Sequence, residues 1–190
     1  FKLLSNAAYG YLGFFGARYY SREAAASTAA LARIQIKKAI SNIENKGYKV
    51  VYSDTDSIAF LQGDKTKKEV HELLKNINDD LPGIMELDLE GFFKRGVWVT
   101  KRNGDFGAKK KYALLGEGGK IKVRGFETVR RDWCDLARKT QSKILELILR
   151  EGNEKKAVEH LKKIISSLKR REVDIKELII RTQLKKVIEN

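Results

Sequence analysis

Disulfides, zinc clusters and membrane spans have little to be built from in this sequence of 190 residues. The single cysteine, Cys134, excludes an internal disulfide, which fits a reducing compartment. His71 and His160 sit in charged, helical surroundings where a solvated surface is expected, and no Cys/His set with zinc-ligand spacing exists. No long apolar span, signal peptide or basic amphipathic anchor with an aromatic face stands out, so no membrane partner is expected. Acid is also in short supply: 25 Asp and Glu face 39 Lys and Arg, a formal net charge of +14. So large a basic excess points to a polyanionic partner, and nucleic acid is the better candidate. The length suits one moderate domain or two small ones, with enough chain for a real core. No initiator methionine precedes Phe1, and the first residues already read as the middle of an element. The expectation is a piece of a longer chain or one part of an assembly.

What is present is organised around Tyr52-Ser53-Asp54-Thr55-Asp56-Ser57. Lys49 to Tyr52 and Ser57 to Leu61 read as strands, with the polar residues at the bend of a β-hairpin. In extended backbone, side chains at i and i+2 share a face, which would bring Asp54 and Asp56 together. Two such carboxylates repel unless a cation holds both ionised, and a hard divalent metal such as Mg²⁺ is the natural occupant. The alternative is an ordinary turn, since Asp and Thr are common turn residues. The apolar flanks put the metal ahead of the turn.

Residues 2 to 13 predict a helix that places Lys2, Asn6 and Tyr9 on one face. A cation, an amide and a ring so stacked suit phosphate, sugar and base; an amphipathic helix with Tyr9 in the core and Lys2 solvated is an equal reading. Gly10 and Gly13 are expected to end or kink it. An Ala-rich helix is expected from about Tyr20 to Lys46, with Ser21 and Glu23 near its start, Gly47 as its stop and its alanines packed on the hairpin. Lys65 to Asn78 predicts a charged helix with Val70, Leu73, Leu74 and Ile77 buried. After a turn at Leu81-Pro82-Gly83, Met85 to Val99 alternates as a strand, Leu87 and Leu89 on one face and Glu86, Asp88 and Glu90 on the other. Asp88 or Glu90 would support a metal if that strand lay beside the hairpin; otherwise the acids form a solvent face. A Gly-containing loop from Arg102 to Gly107 leads to Lys109-Lys110-Lys111-Tyr112, a hairpin turned at Gly116 to Gly119, and a strand to Gly125. Basic helices over Arg130 to Arg150 and Lys155 to Arg170 follow, interrupted near Gly152-Asn153. Lysines beside an aromatic can grip a sugar-phosphate backbone, although a lysine run is commonly a solvated surface. Without a strict βαβ rhythm, the class is α+β with a mainly antiparallel sheet packed with helices, then a helical basic segment.

Four of these stretches, in order, resemble the family B (polymerase alpha-like) DNA polymerases. Lys2-Leu-Leu-Ser-Asn6-Ala-Ala-Tyr9-Gly10 resembles their finger-helix motif, Lys-x3-Asn-Ser-x-Tyr-Gly. Tyr52-Ser53-Asp54-Thr55-Asp56-Ser57 resembles their palm motif, Tyr-x-Asp-Thr-Asp-Ser. Lys109-Lys110-Lys111-Tyr112 resembles the basic-Tyr motif between palm and thumb, and the run from Arg124 to Trp133 resembles the start of the thumb. The wording is nearest the archaeal replicative type.

The resemblance implies the end of the fingers helix over 1–13, palm over 14–97, and palm–thumb junction with partial thumb over 98–190. It implies Asp56 as a ligand of two Mg²⁺ ions, Asp54 at the primer end, and Lys2 on the phosphates of the incoming dNTP, helping to protonate pyrophosphate. Asn6 and Tyr9 would shape the nucleotide pocket, and Glu90 with Asp88 matches acids near the metals. Lys110 and Tyr112 would hold the primer terminus, with Lys109 in the same run and Lys111 and Arg124 on the backbone. Primer-template DNA is the implied partner, a sliding clamp a further candidate, and the location cytoplasmic and nucleoid-associated. Ala7 stands where the family has Ser, and the loop Arg102 to Ala108 lengthens the approach to Lys109. The other palm motif with its partner aspartate, the exonuclease domain and the first finger helix have no counterpart in these residues. The expectation is therefore inactivity alone and activity once joined to an upstream portion or large subunit. A basic DNA-holding subunit with turn-forming acids, or an assembly scaffold, are the rival classes.

Overall fold

The structure is a computed structural model that describes residues 2–100 and 107–180. The chain divides into two compact units, Phe1–Glu90 and Gly91–Asn190.

In the first unit, helix α1 (Lys2–Gly13) packs on helix α2 (Arg22–Asn45). A methyl group on Gly13 would stand 3.8 Å from Ala25 Cβ, so small residues let the two backbones approach. Gly10 lies within α1 and does not end it. Ser21 caps α2 by accepting from Ala24 N at 3.1 Å, which satisfies an otherwise unpaired first-turn donor. Strands β1 (Lys49–Asp54) and β2 (Ser57–Leu61) form an antiparallel ribbon. Helix α3 (Lys67–Asp79) opens with a capping box in which Thr66 and Glu69 satisfy one another's backbone N–H groups. Its 3.6-residue stripe buries Val70, Leu73 and Ile77, which with Ala39, Ile43 and Tyr48 are the buried apolar side chains among the described residues of the unit. Tyr48 meets Phe60 edge to face at 5.2 Å between centroids, with Lys65 Nζ 5.5 Å from its ring. The alanines nearer the start of α2 are half-buried or exposed, so that helix anchors by its C-terminal half.

The expected strand from Met85 to Val99 forms only in part. Pairing begins at Phe93, and residues 85–92 carry no ladder. Alternation survives there, with Leu87 and Leu89 half-buried and Glu86, Asp88 and Glu90 exposed. Among the described residues no strand is paired with this stretch to complete a sheet. Asn78 does duty for one, its Nδ2 donating to Leu87 O at 3.0 Å and its Oδ1 accepting from Leu87 N at 2.9 Å. Gly91, at φ 148°, ends the run.

The second unit holds a three-stranded antiparallel sheet in the order β3 (Phe93–Thr100), β4 (Gly107–Gly116), β5 (Ile121–Arg124). Helix α4 (Asp135–Glu146) starts five residues later than the sequence pattern suggests and widens into a π turn at Leu147–Glu151. Gly152 closes it at φ 65°, and Arg95 Nη1 donates to the last carbonyls, those of Ile148 and Leu149, each at 3.2 Å. A cation at a helix C-terminus is favourable both as a donor and against the dipole. Helix α5 (Glu154–Lys169) follows, capped by Asn153. Ala113, Leu115, Phe126, Leu145 and Leu149 form the core, flanked by Val97, Val99, Ile121 and Val123. Each fully buried large apolar side chain there contributes roughly 1.5–3 kcal/mol. The class is α+β as expected, with two small antiparallel sheets among the described residues in place of one.

Candidate active site and nucleic-acid interface

The hairpin tip comes first. Asp54 pairs with Ser57, so Thr55 and Asp56 alone make the loop. A loop that short needs positive φ at its centre, and Thr55 adopts it at φ 56°. For a β-branched residue this backbone is strained by roughly 1–2 kcal/mol. Three hydrogen bonds converge to hold it: Asp56 N donates to Asp54 O at 2.7 Å, Ser57 Oγ to the same carbonyl at 3.0 Å, and Thr55 Oγ1 to Asp54 Oδ1 at 3.2 Å. A plain connection at this position favours Gly or Asn. Strain retained at an acidic tip is the pattern of functional loops.

The pleat does not bring Asp54 and Asp56 together, as extended alternation would have it. Asp54 is the last residue of β1 and half-buried, whereas Asp56 lies in the turn and is exposed. The chain reverses between them at Thr55. Two hard carboxylates suit Mg²⁺, which takes one or two protein carboxylates and fills its shell with water and phosphate oxygens. Among the described residues no three or more His, Cys, Asp or Glu gather into a metal-holding group. Asp88 and Glu90 therefore do not complete a cluster with the hairpin pair.

On α1, Asn6 and Tyr9 are both exposed, not core-facing. The side chain of Lys2 lies outside the described residues, as do that of Lys109 and the loop 101–106. After α1 the chain turns through an aromatic knot in which Tyr11 Oη accepts from Arg18 N at 3.1 Å and the Tyr11 and Tyr19 rings lie 6.4 Å apart.

The basic strand belongs to the second unit. Strand alternation puts Lys111 on the same face as Ala113 and Leu115, the core face. An ammonium at the margin of a core needs an anion, and Glu127 provides it at 2.5 Å, with Lys111 Nζ also 5.4 Å from the Phe126 ring centre. The second Glu127 oxygen accepts from Gln141 Nε2 at 2.5 Å, and Gln141 Oε1 accepts from Thr128 N at 2.9 Å. Burial pushes the Glu127 carboxyl up, but the bonds from Gln141 and Lys111 outweigh it and hold the group below the usual glutamate range. Neither Glu127 nor Gln141 stands out by motif. The signal emerges only once the strand register is known, when a lysine at a core-facing position demands a partner.

Lys110 and Arg124 are exposed, and Tyr112 is half-buried with its ring 6.5 Å from that of Trp98. The β3–β4 register passes from Trp98 opposite Tyr112 to Thr100 opposite Gly107, so the lysine run occupies an irregularity in the ladder. Within it Lys110 takes φ 60°. A methyl on Gly125, itself at φ 67°, would fall 2.0 Å from Lys110 O. The two backbones touch there, and only glycine allows it.

These features are an α+β unit with a strained acidic hairpin and a second unit whose basic strand lies at a ladder irregularity. The same fold occurs in the structure of the family B DNA polymerase from the hyperthermophilic archaeon Pyrobaculum calidifontis, with a TM-score of 0.68 and 32% identity, covering 99% of this chain and 23% of that one. A DNA polymerase of Thermococcus sp. (strain 9oN-7) is 43% identical over 188 residues, 96% of this chain and 23% of the relative. One from Methanocaldococcus jannaschii is 42% identical over 186 residues, 95% of this chain and 11% of the relative. The sequence profile of DNA polymerase family B matches residues 1–190. The chain belongs to DNA polymerase family B. It spans less than a quarter of the length of these relatives. Among the described residues no helix is long and apolar enough to cross a membrane.

Proposed function

We propose that the chain supplies part of the catalytic core of a template-directed DNA polymerase of archaeal replicative type. On this reading residues 1–13 end the fingers helix, 14–97 belong to the palm, and 98–190 to the palm–thumb junction and thumb. The observation that carries it is the strained acidic tip, Asp54-Thr55-Asp56, in a chain that matches the family along its whole length.

Asp56 and Asp54 would hold Mg²⁺, and a partner aspartate would come from an upstream portion, since one hairpin pair falls short of two ions. Bound there, the ions would lower the pKa of the primer 3′ hydroxyl and neutralise charge on the phosphates. The chain's own residues position the reactants. Lys2 would meet the phosphates of the dNTP and give a proton to departing pyrophosphate, while Asn6 and Tyr9 border the nucleotide. Lys110 and Tyr112, with Lys109 in the same run and Arg124 opposite Tyr112, would hold the primer end, and the net charge of +14 draws the duplex in. A sliding clamp and a nucleoid-associated, cytoplasmic setting would follow from the same role.

With the upstream polymerase portion supplied, Mg²⁺-dependent primer extension is expected, and Asp56→Ala abolishes it while duplex binding persists. A purely DNA-holding module is the second reading, favoured by the basic excess of 39 Lys and Arg over 25 Asp and Glu. Unchanged extension in Asp56→Ala would select it.

A further inference from the structure

The family resemblance places Lys111 among the residues that touch the DNA backbone, yet the structure shows its ammonium engaged elsewhere. Its Nζ lies 2.5 Å from Glu127 Oε1 and 5.4 Å from the centre of the Phe126 ring, and its side chain is 29% exposed against 17% for Glu127. Phe126 belongs to the core of its unit. The other Glu127 oxygen is bound by Gln141 of α4, and Gln141 in turn holds Thr128 N. One carboxylate thus joins strand β4, the 3-10 turn at Glu127–Val129 and helix α4.

The join sits where the backbone needs support. Lys110 is held at φ 60°, a conformation an L-residue adopts at a cost. Its carbonyl abuts Gly125 so closely that a Cβ would lie 2.0 Å away, and 3.2 Å from Lys111 Cα. Arg124, paired with Tyr112, immediately precedes Gly125, and Phe126 and Glu127 follow it. A bond from Lys111 to Glu127 therefore closes a short loop around this contact and keeps Lys110, Tyr112 and Arg124 in one registry.

We propose that Glu127 is a positioning residue for the DNA-gripping strand: it withdraws Lys111 from DNA, makes it an internal strut, and so fixes the side chains on either side of it in the chain. Lys110 and Arg124 then carry the phosphate contacts. This rests on the polymerase reading above and extends it by assigning opposite tasks to adjacent lysines.

The test is binding of the full chain, with the upstream polymerase portion supplied, to a fluorescent primer-template carrying 2-aminopurine at the primer 3′ base, across a salt series. Each phosphate contact removed lowers the slope of log affinity against log salt by roughly 0.9. Lys110→Met and Arg124→Met are each expected to lose about one such unit. Lys111→Met is expected to keep the wild-type slope and to lose the 2-aminopurine response at the primer end. Glu127→Gln is expected to lose the same response, the double variant to be no worse than either single one, and Lys111→Arg to restore it. If Glu127→Gln does not fold, Lys111→Met and Lys111→Arg carry the test by themselves. A drop in slope for Lys111→Met equal to that for Lys110→Met would overturn the strut, as would additive losses in the double variant. Failure of the wild-type chain, joined to that portion, to bind duplex, or slopes indifferent to Lys110 and Arg124, would instead sink the polymerase reading and this inference with it.

Discussion

Replacing Gly125 by alanine tests the close approach of its backbone to that of Lys110. Two costs combine there. An L-residue at φ 67° is disfavoured by roughly 1–2 kcal/mol. The new Cβ would also stand 2.0 Å from Lys110 O and 2.9 Å from Lys110 C, both backbone atoms that cannot rotate away. The strands must then separate, which disturbs the pairing of Tyr112 with Arg124 at roughly 0.5–1.5 kcal/mol per hydrogen bond lost. With one such bond lost, a total of about 1.5–3.5 kcal/mol follows from these terms. Gly119 is the control within the same hairpin. It has φ 78°, but its nearest neighbour is the tip of Arg150 at an ordinary 3.5 Å, so Gly119→Ala incurs only the conformational cost. Urea unfolding followed by circular dichroism measures both variants, and each kcal/mol corresponds to roughly 4–8 °C in melting temperature for a unit of this size. Equal losses in the two variants would refute the close contact and the registry built on it. Duplex affinity should fall with Gly125→Ala and hold with Gly119→Ala.

Thr55→Gly relieves roughly 1–2 kcal/mol of backbone strain and adds roughly 0.5–1 kcal/mol of unfolded-state entropy, so stability should hold or rise by up to about 1.5 kcal/mol. Primer extension with the upstream portion should nevertheless decline, because Asp54 loses the Thr55 hydroxyl; a stable variant with undiminished extension would remove the case for strain serving function. The Glu127 carboxyl titrates below its unfolded value, so its contribution to stability is complete above the ordinary glutamate pKa of about 4.3 and is lost as pH falls through the folded value. Urea midpoints measured from neutral pH downward should therefore drop more steeply for the wild-type chain than for Glu127→Gln, and parallel curves would contradict the bonding seen around Glu127.

Much of this protein was legible in residue order alone, and the reasons are local. Helical periodicity marked α1, α2, α3 and α5 to within a residue or two, because capping and apolar spacing are properties of neighbouring residues. The hairpin at Asp54 to Ser57 was legible for the same reason, as was the turn at Gly116 to Gly119. The motif wording from Lys2 to Trp133 pointed to the family that the comparisons then showed. Periodicity misled at Met85 to Phe92, since alternation tells which side chains face inward but not whether another strand lies alongside to accept hydrogen bonds. It misled again at Asp54 and Asp56, where pleated geometry was assumed through a point at which Thr55 reverses the chain. Which lysine of Lys109-Lys110-Lys111 faces the core could not be read from a run of identical residues. That depended on the ladder irregularity before Tyr112 and on Glu127 and Gln141, which come 16 and 30 positions after Lys111 and are brought to it only by folding. Charge identity is written in the chain, whereas charge pairing is decided by which distant segments the buried core forces into contact.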